Sequence, residues 1–176
     1  MLGINLVRLI ERHSDVLSRE LVDEIQSSER TSDFRNLPPE DLRRAAAELY
    51  HNLGEWLLQK TEPDIASRFK SIGARRAAEG IRLHQFLWAL MLTRDHLWYF
   101  LRREGYAETI VQLHGELELN ELLNQFFDRA LYYATLGYEQ AGEPVAPKGE
   151  LRRIRDLATA IGLMAERDRA SAVIEE

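Results

Sequence analysis

Residues Leu83 to Arg103 read LHQFLWALMLTRDHLWYFLRR, with Gly80 shortly before them and Gly105 shortly after. The apolar spacing is helical, and at about 100° per residue it loads more than one side of the helix. A helix that is apolar nearly all round has to be covered on more than one flank. This segment is therefore the central helix of a bundle, or a bundle helix that also meets a second molecule. One side carries Phe86, Ala89, Leu90, Thr93, Leu97, Phe100 and Leu101, an apolar stripe suited to a bundle core. The opposite side carries His84, Trp88, Met91, Asp95 and Arg102, flanked by Leu92 and Tyr99. Trp, Tyr, Met and Arg are enriched where proteins meet proteins. A mixed aromatic and polar wall also suits a small ligand. His84, Trp88, Met91, Leu92, Asp95 and Tyr99 are accordingly the candidate ligand or dimer-interface residues. The competing reading is a face covered by the first or fifth helix, with Asp95 paired to a nearby Arg.

The rest of the chain is also helical in period, with no alternating strand pattern. A first helix spans about Ile4 to Gln26, with Leu6, Ile10, His13, Leu17, Leu21 and Ile25 near one face and room for a kink at Ser14. The stretch SSERTSDFRNLPP reads as a loop. Pro39 suits the first position of a second helix, because the amide it lacks would be unpaired there. That helix runs to about Gln59 on Leu42, Leu49, Leu53, Trp56 and Leu57. A third covers about Asp64 to Glu79 with Ile65, Phe69, Ile72 and Ala77, and Gly80 ends it in a left-handed turn. A fifth runs from about Glu108 to Gln140, either continuous or broken near Gly115. GEPVAPKG then reads as a linker, and Leu151, Ile154, Ala158, Ile161 and Ala165 recur at helical steps beyond it. The expected organisation is a helical domain over 1–142, a linker over 143–149 and an amphipathic helix over 150–176.

Charge and composition exclude several functions. The net charge of −6 gives no basic footprint for nucleic acid or an anionic membrane. No run approaches the roughly 20 apolar residues of a membrane span. The N-terminus lacks a signal-peptide pattern. With no cysteine, there is no disulfide, thiolate metal site or thiol nucleophile, which fits a cytoplasmic location. No two of His13, His51, His84, His96 and His114 stand three or four residues apart, so no histidine-pair metal motif exists. The paired Glu-x-x-His elements of a di-iron bundle are missing. Arg75-Arg76, with Arg68 and Lys70 upstream, suit an anion or a solvated face. Arg102-Arg103 complement a helix C-terminus. Glu116, Glu118 and Glu121 read as helix surface. Nothing assembles a nucleophile, a base and an orienting group. A lone helical histidine can ligate haem in a globin-like fold, and His84 and His96 are the two considered for it.

Four segments resemble the RsbRD-type N-terminal sensor domain: IERHSDVLSRELVDEIQ, TSDFRNLPPEDLRRAAAELYHNLGEWL, IGARRAAEGIRLHQFLWALMLTRDHLWYFL and FFDRALYYATLGYEQ. The family's opening to the second helix reads Phe34-Arg35-Asn36-Leu37-Pro38-Pro39-Glu40-Asp41-Leu42. Its G-x-x-R-A-x-x-G-x-x-L element reads Gly73 to Leu83, with Arg76, Ala77 and Gly80 in place. Its L-W-x-x-L tail is Leu97 to Leu101, and its Gly-Tyr close is Gly137-Tyr138. The resemblance covers roughly residues 1–140. It implies an all-helical, loosely globin-like input domain, dimeric and without haem, placed upstream of an output module such as a phosphorylatable STAS domain or a histidine kinase.

The expectation is therefore an all-α single bundle of five to six helices with a C-terminal linker helix. Its function is that of a non-enzymatic signal-transduction input domain in the cytoplasm. It has no cofactor or metal and no nucleic-acid or membrane partner. It acts as a homodimer, on an output module or partner protein or through a small ligand. The alternative is a haem-binding globin-like gas sensor on His84 or His96.

Overall fold

A computed structural model describes the backbone of residues 2–104 and 110–142. These residues belong to one compact unit, Met1–Gly142. The expected linker over 143–149 and the expected helix over 150–176 lie outside the described residues. Among the described residues the fold is all-α. Helices α1 (Leu2–Arg12) and α2 (Ser14–Ser27) lead into a 3-10 segment (Glu29–Asn36). Then come α3 (Pro39–His51), α4 (Leu53–Leu58), α5 (Glu62–Ala78), α6 (Leu83–Arg103) and α7 (Ile110–Gly142).

Two expected helices are each interrupted once, and polar side chains mark the interruptions. At His13 the backbone leaves the helix (φ −103°, ψ 12°). His13 Nδ1 lies 2.9 Å from the Leu9 carbonyl, which the His13 N–H also meets at 3.2 Å, so ring and backbone share that acceptor at the break. His13 is thus exposed instead of lying on the buried stripe. Asn52 does the same between α3 and α4, donating from Nδ2 to the Glu48 carbonyl at 2.8 Å. The next free amide, Gly54 N–H, donates to Glu11 Oε1 on α1 at 2.9 Å. Of the two readings at Gly115, a continuous helix or a broken one, the structure has the first, and α7 runs through it. A helical Gly costs about 1 kcal/mol relative to Ala. The stripe Leu119, Leu123, Phe126, Phe127, Ala130 and Ala134, each at most 2% exposed, outweighs that cost by burial.

The stretch read as a loop is instead a 3-10 segment locked to α2. Arg35 Nε donates to the Gln26 carbonyl at 2.9 Å, satisfying an orphan acceptor at the end of α2. Thr31, fully buried, donates to the Ile25 carbonyl. Phe34 packs inward at 3% exposure. At the end of α5, Gly80 has φ +74°, as its position after the helix predicts. Gly80 N–H donates to Ala77 O and Ile81 N–H to Arg76 O, each at 3.1 Å, the paired bonds of a Schellman close.

Helices α5 and α7 make the most extensive interhelical contact. Two glycines permit it. A Cβ on Gly73 would stand 2.0 Å from the Ala134 carbonyl oxygen, and one on Gly137 would stand 2.1 Å from that of Lys70. Each helix therefore presents bare backbone to the other. Phe69, Phe126 and Phe127 close the core beside them with edge-on ring contacts. Tyr50, fully buried on α3, donates its hydroxyl to the Thr93 carbonyl of α6 at 3.2 Å. No described helix is long and apolar enough to cross a membrane.

Candidate functional site

Helix α6 has the bounds its sequence predicts, and its start is fastened by neighbouring segments. Arg82 precedes the helix and has no cap of its own. Asp33, from the 3-10 segment, accepts from Arg82 Nε at 2.8 Å, Nη2 at 2.9 Å and the backbone N–H at 3.1 Å. These bonds hold the Asp33 carboxyl down at about 2. In return, Gln85 Oε1 accepts from Asp33 N–H at 2.7 Å while its Nε2 donates to Ser32 Oγ at 3.2 Å. Gln85 is 2% exposed. The orientation of α6 is thus set before its core stripe is reached. On that stripe Phe86, Ala89, Thr93, Leu97, Phe100 and Leu101 are buried and Leu90 is half-buried.

The opposite side of α6 is partly open. His84 and Asp95 are exposed, Trp88, Met91 and Leu92 are half-buried, and Tyr99 is 65% exposed. The Arg30 guanidinium stacks 4.5 Å from the Trp88 ring. Arg94 Nε meets Asp95 Oδ1 at 3.2 Å, an exposed pair between chain neighbours. Leu92, Asp95 and Tyr99 come together in one open groove with Trp98, Arg102 and His96, and Glu24 of α2 forms its other wall. His84, Trp88 and Met91 do not line that groove. Trp98 and Glu24 are members that the sequence reading did not select, and His96 enters that reading only as a haem ligand. Period alone could have found Trp98, which sits three residues after Asp95, four before Arg102 and seven after Met91. Glu24 lies on another element and gave no signal.

His96 is 8% exposed and sits between two carboxylates of α2. Its Nε2 lies 3.6 Å from Glu20 Oε2, its Nδ1 3.6 Å from Glu24 Oε2, and Nε2 has no hydrogen-bond partner. Both separations exceed hydrogen-bond length. The two carboxylates address opposite ring nitrogens, so they do not converge on one ion. No cluster of three metal-binding side chains exists among the described residues.

A second hollow lies between the helices and opens to solvent beside Ala45, which is exposed. It is an apolar cleft of about 110 Å³, walled by α2, the 3-10 segment, α3, α5 and α6. Leu21, Leu49, Phe69, Ile72 and Leu90 supply much of its surface, and Ala45 and Ala46 form its thin side on α3. Arg68 and Arg76 reach it too, but both are committed elsewhere. Arg68 Nη1 meets Glu48 Oε1 at 2.8 Å, which pulls the Glu48 carboxyl below its ordinary range. The Arg68 guanidinium also lies 4.8 Å from the Trp56 ring. Arg76, buried at 8% exposure, pairs with Glu79, and burial lowers its pKa against the pull of that carboxylate. Arg75 binds Glu79 as well, at 2.8 Å. The basic run that suited an anion is therefore largely neutralised within the fold. A single Glu-x-x-His does occur, at Glu48 and His51, and Arg68 holds its carboxylate. Neither His84 nor His96 lines the cleft.

The motif residues shared with the resembling family have structural duties. Phe34 packs beneath Arg76, 5.7 Å from its guanidinium, and Arg35 caps α2. Gly73 and Gly137 make the close crossing of α5 and α7. Gly80 turns the chain, and Tyr138 OH donates to the Ile81 carbonyl at 2.8 Å, pinning that turn to α7. A family model described as RsbT co-antagonist protein rsbRD N-terminal domain matches residues 15–153. No curated protein and no solved structure matches the chain.

Proposed function

Because the chain belongs to the RsbT co-antagonist protein rsbRD N-terminal domain family, a family of stress-signalling regulatory input domains, we propose that it is the sensing half of a switch that works as a homodimer. Residues 1–142 form the sensing domain in this reading. The segment 143–149 serves as linker, and 150–176 carries the change to an output module or partner protein. The protein acts in the cytoplasm and catalyses no reaction. Its currency is a shift between two arrangements, for which a coupling of about 1–3 kcal/mol suffices.

One observation carries the dimer part of the reading. The outward side of α6 keeps a row of large side chains at the surface: Trp88, Met91 and Leu92 half-buried and Tyr99 65% exposed. Aromatic and thioether groups of this kind, rimmed by Asp95 and Arg102, match the composition of protein interfaces. The same helix has its other side in the core, so a change inside the domain reaches the interface through one rigid element.

Sedimentation equilibrium tests it. The wild type is expected to be dimeric at micromolar concentration. Tyr99→Glu, at a side chain 65% exposed, is expected to weaken the dimer by at least about tenfold, or 1.4 kcal/mol. Trp88→Glu should do the same. A wild type that stays monomeric, or a Tyr99→Glu dimer as tight as the wild type, overturns the assignment of this face.

A further inference from the structure

The apolar cleft between α3 and helices α5 and α6 is bridged by the Arg68–Glu48 ion pair and by the Tyr50 hydroxyl on the Thr93 carbonyl. Helix α3 rests on α2 and makes no extensive contact with α5 or α6. Ala45 and Ala46 face the gap where larger side chains would have filled it. A space of about 110 Å³ is under the 300 Å³ of ordinary cofactor pockets and close to that of a dry apolar cavity known to accept a single ring. We propose that this cleft is the sensory pocket of the domain and that it takes a small, uncharged, apolar molecule of about one ring or an equivalent short chain. The proposal deepens the input-domain reading and rests on it for the word sensory.

Two features argue for an uncharged occupant. Among the described residues no carboxylate lines the cleft, so a cation has no partner there. The two arginines that reach it are bound to Glu48 and Glu79, so an anion has to compete with carboxylates already in place. The only other polar side chain on the wall, Thr93, donates its hydroxyl to the Ala89 carbonyl at 2.8 Å. A ligand with strong polar groups would lose its water bonds and find a single free donor, Arg68 Nε, in return. The one chemistry with a counter-argument is a carboxylate, because Arg68 Nε is buried without an acceptor. Occupancy has a route outward. Ala89, Leu90 and Thr93 on the cleft wall belong to α6, whose far side bears Trp88, Met91 and Leu92.

Methyl NMR of the full chain reads the binding directly, with benzene as the uncharged probe and benzoate as its charged counterpart. Benzene is expected to saturate and to shift the methyls of Leu21, Leu49, Ile72 and Leu90. Benzoate is expected to bind at least about tenfold more weakly, a margin of 1.4 kcal/mol. Ala46→Leu, which fills the thin wall, should abolish the benzene shifts, while Leu49→Ala, which enlarges the hollow, should retain them. Absence of shifts at the cleft methyls, persistence of those shifts in a folded Ala46→Leu, or tighter binding of benzoate each overturns the proposal. The methyl signals report binding whether the protein is monomer or dimer, so failure here and failure of the dimer reading are told apart.

Discussion

At the scale of single residues, the start of α6 depends on one side chain of its own, Gln85, and one from outside it, Asp33. Gln85 bonds both Asp33 N–H and Ser32 Oγ while 2% exposed. Replacing it with Ala leaves those partners without their bonds in a place water barely reaches, at a cost of about 1–3 kcal/mol. Urea unfolding of Gln85→Ala checks this. Asp33 gives a pH signature. Its carboxyl titrates at about 2 in the fold against an ordinary 3.8, because Arg82 donates to the charged form. The unfolded chain therefore binds the proton more readily. The stability this pair supplies is complete above the unfolded value and is lost as pH falls from 3.8 towards 2. Asp33→Asn should be less stable than wild type at neutral pH, and the gap should close over that acid window. A gap that stays constant down to the lower limit would show that the pair contributes through shape and not charge.

At the scale of elements, Gly73→Ala sets helix propensity against packing. An exposed helical Gly gains about 1 kcal/mol on becoming Ala. Here the added carbon would meet the Ala134 carbonyl at 2.0 Å, backbone against backbone, so the helices must part. The clash wins, and a loss of more than about 3 kcal/mol is expected. Gly54→Ala is the matched control. Its new carbon meets the tip of the Glu11 side chain at 3.0 Å and the Val7 side chain at 3.2 Å. Flexible ends can yield, so its change should stay within about 1 kcal/mol. Thermal or urea unfolding of the two variants separates them. The same comparison explains what the sequence makes legible. The Gly80 stop and the bounds of α6 follow from local signals, the left-handed glycine and the apolar period. The break at Asn52 does not, since asparagine does not forbid helix and acts by a side-chain bond to the carbonyl four residues back, whereas the break at His13 falls where the sequence leaves room for a kink at Ser14. The outward residues of α6 could be listed from period alone. Which of them share a groove could not, because Glu24 comes from α2 and Trp88 is drawn aside under Arg30. Of the two readings of the basic run, an anion site or a solvated face, the first is closed for a similar reason, as Glu48 lies 20 residues from Arg68 in sequence.

At the scale of the whole domain, stability is distributed unevenly, and the distribution bears on sensing. The crossing of α5 and α7 brings backbone against backbone and is continuous with the buried rings of Phe69, Phe126 and Phe127. Helix α3 lies against α2 on one side and borders the apolar cleft on another. The polar contacts that join α3 to α5 and α6 there are the Tyr50 hydroxyl on the Thr93 carbonyl and the exposed Arg68–Glu48 pair. Proteins open in cooperative units, and the units with least packing open first. Amides over 42–49 in α3 should therefore exchange with solvent at least about tenfold faster than those over 65–73 in α5 and 123–134 in α7, a difference of about 1.4 kcal/mol in opening free energy. Native-state hydrogen exchange resolved by residue makes the measurement. Tyr50→Phe removes the hydroxyl bridge without changing the ring, so it should widen the difference by speeding α3 and leaving α5 and α7 unaltered. If α3 instead exchanges in step with α5 and α7 in both proteins, the domain opens as one unit. The cleft would then have no flexible wall through which an occupant could enter.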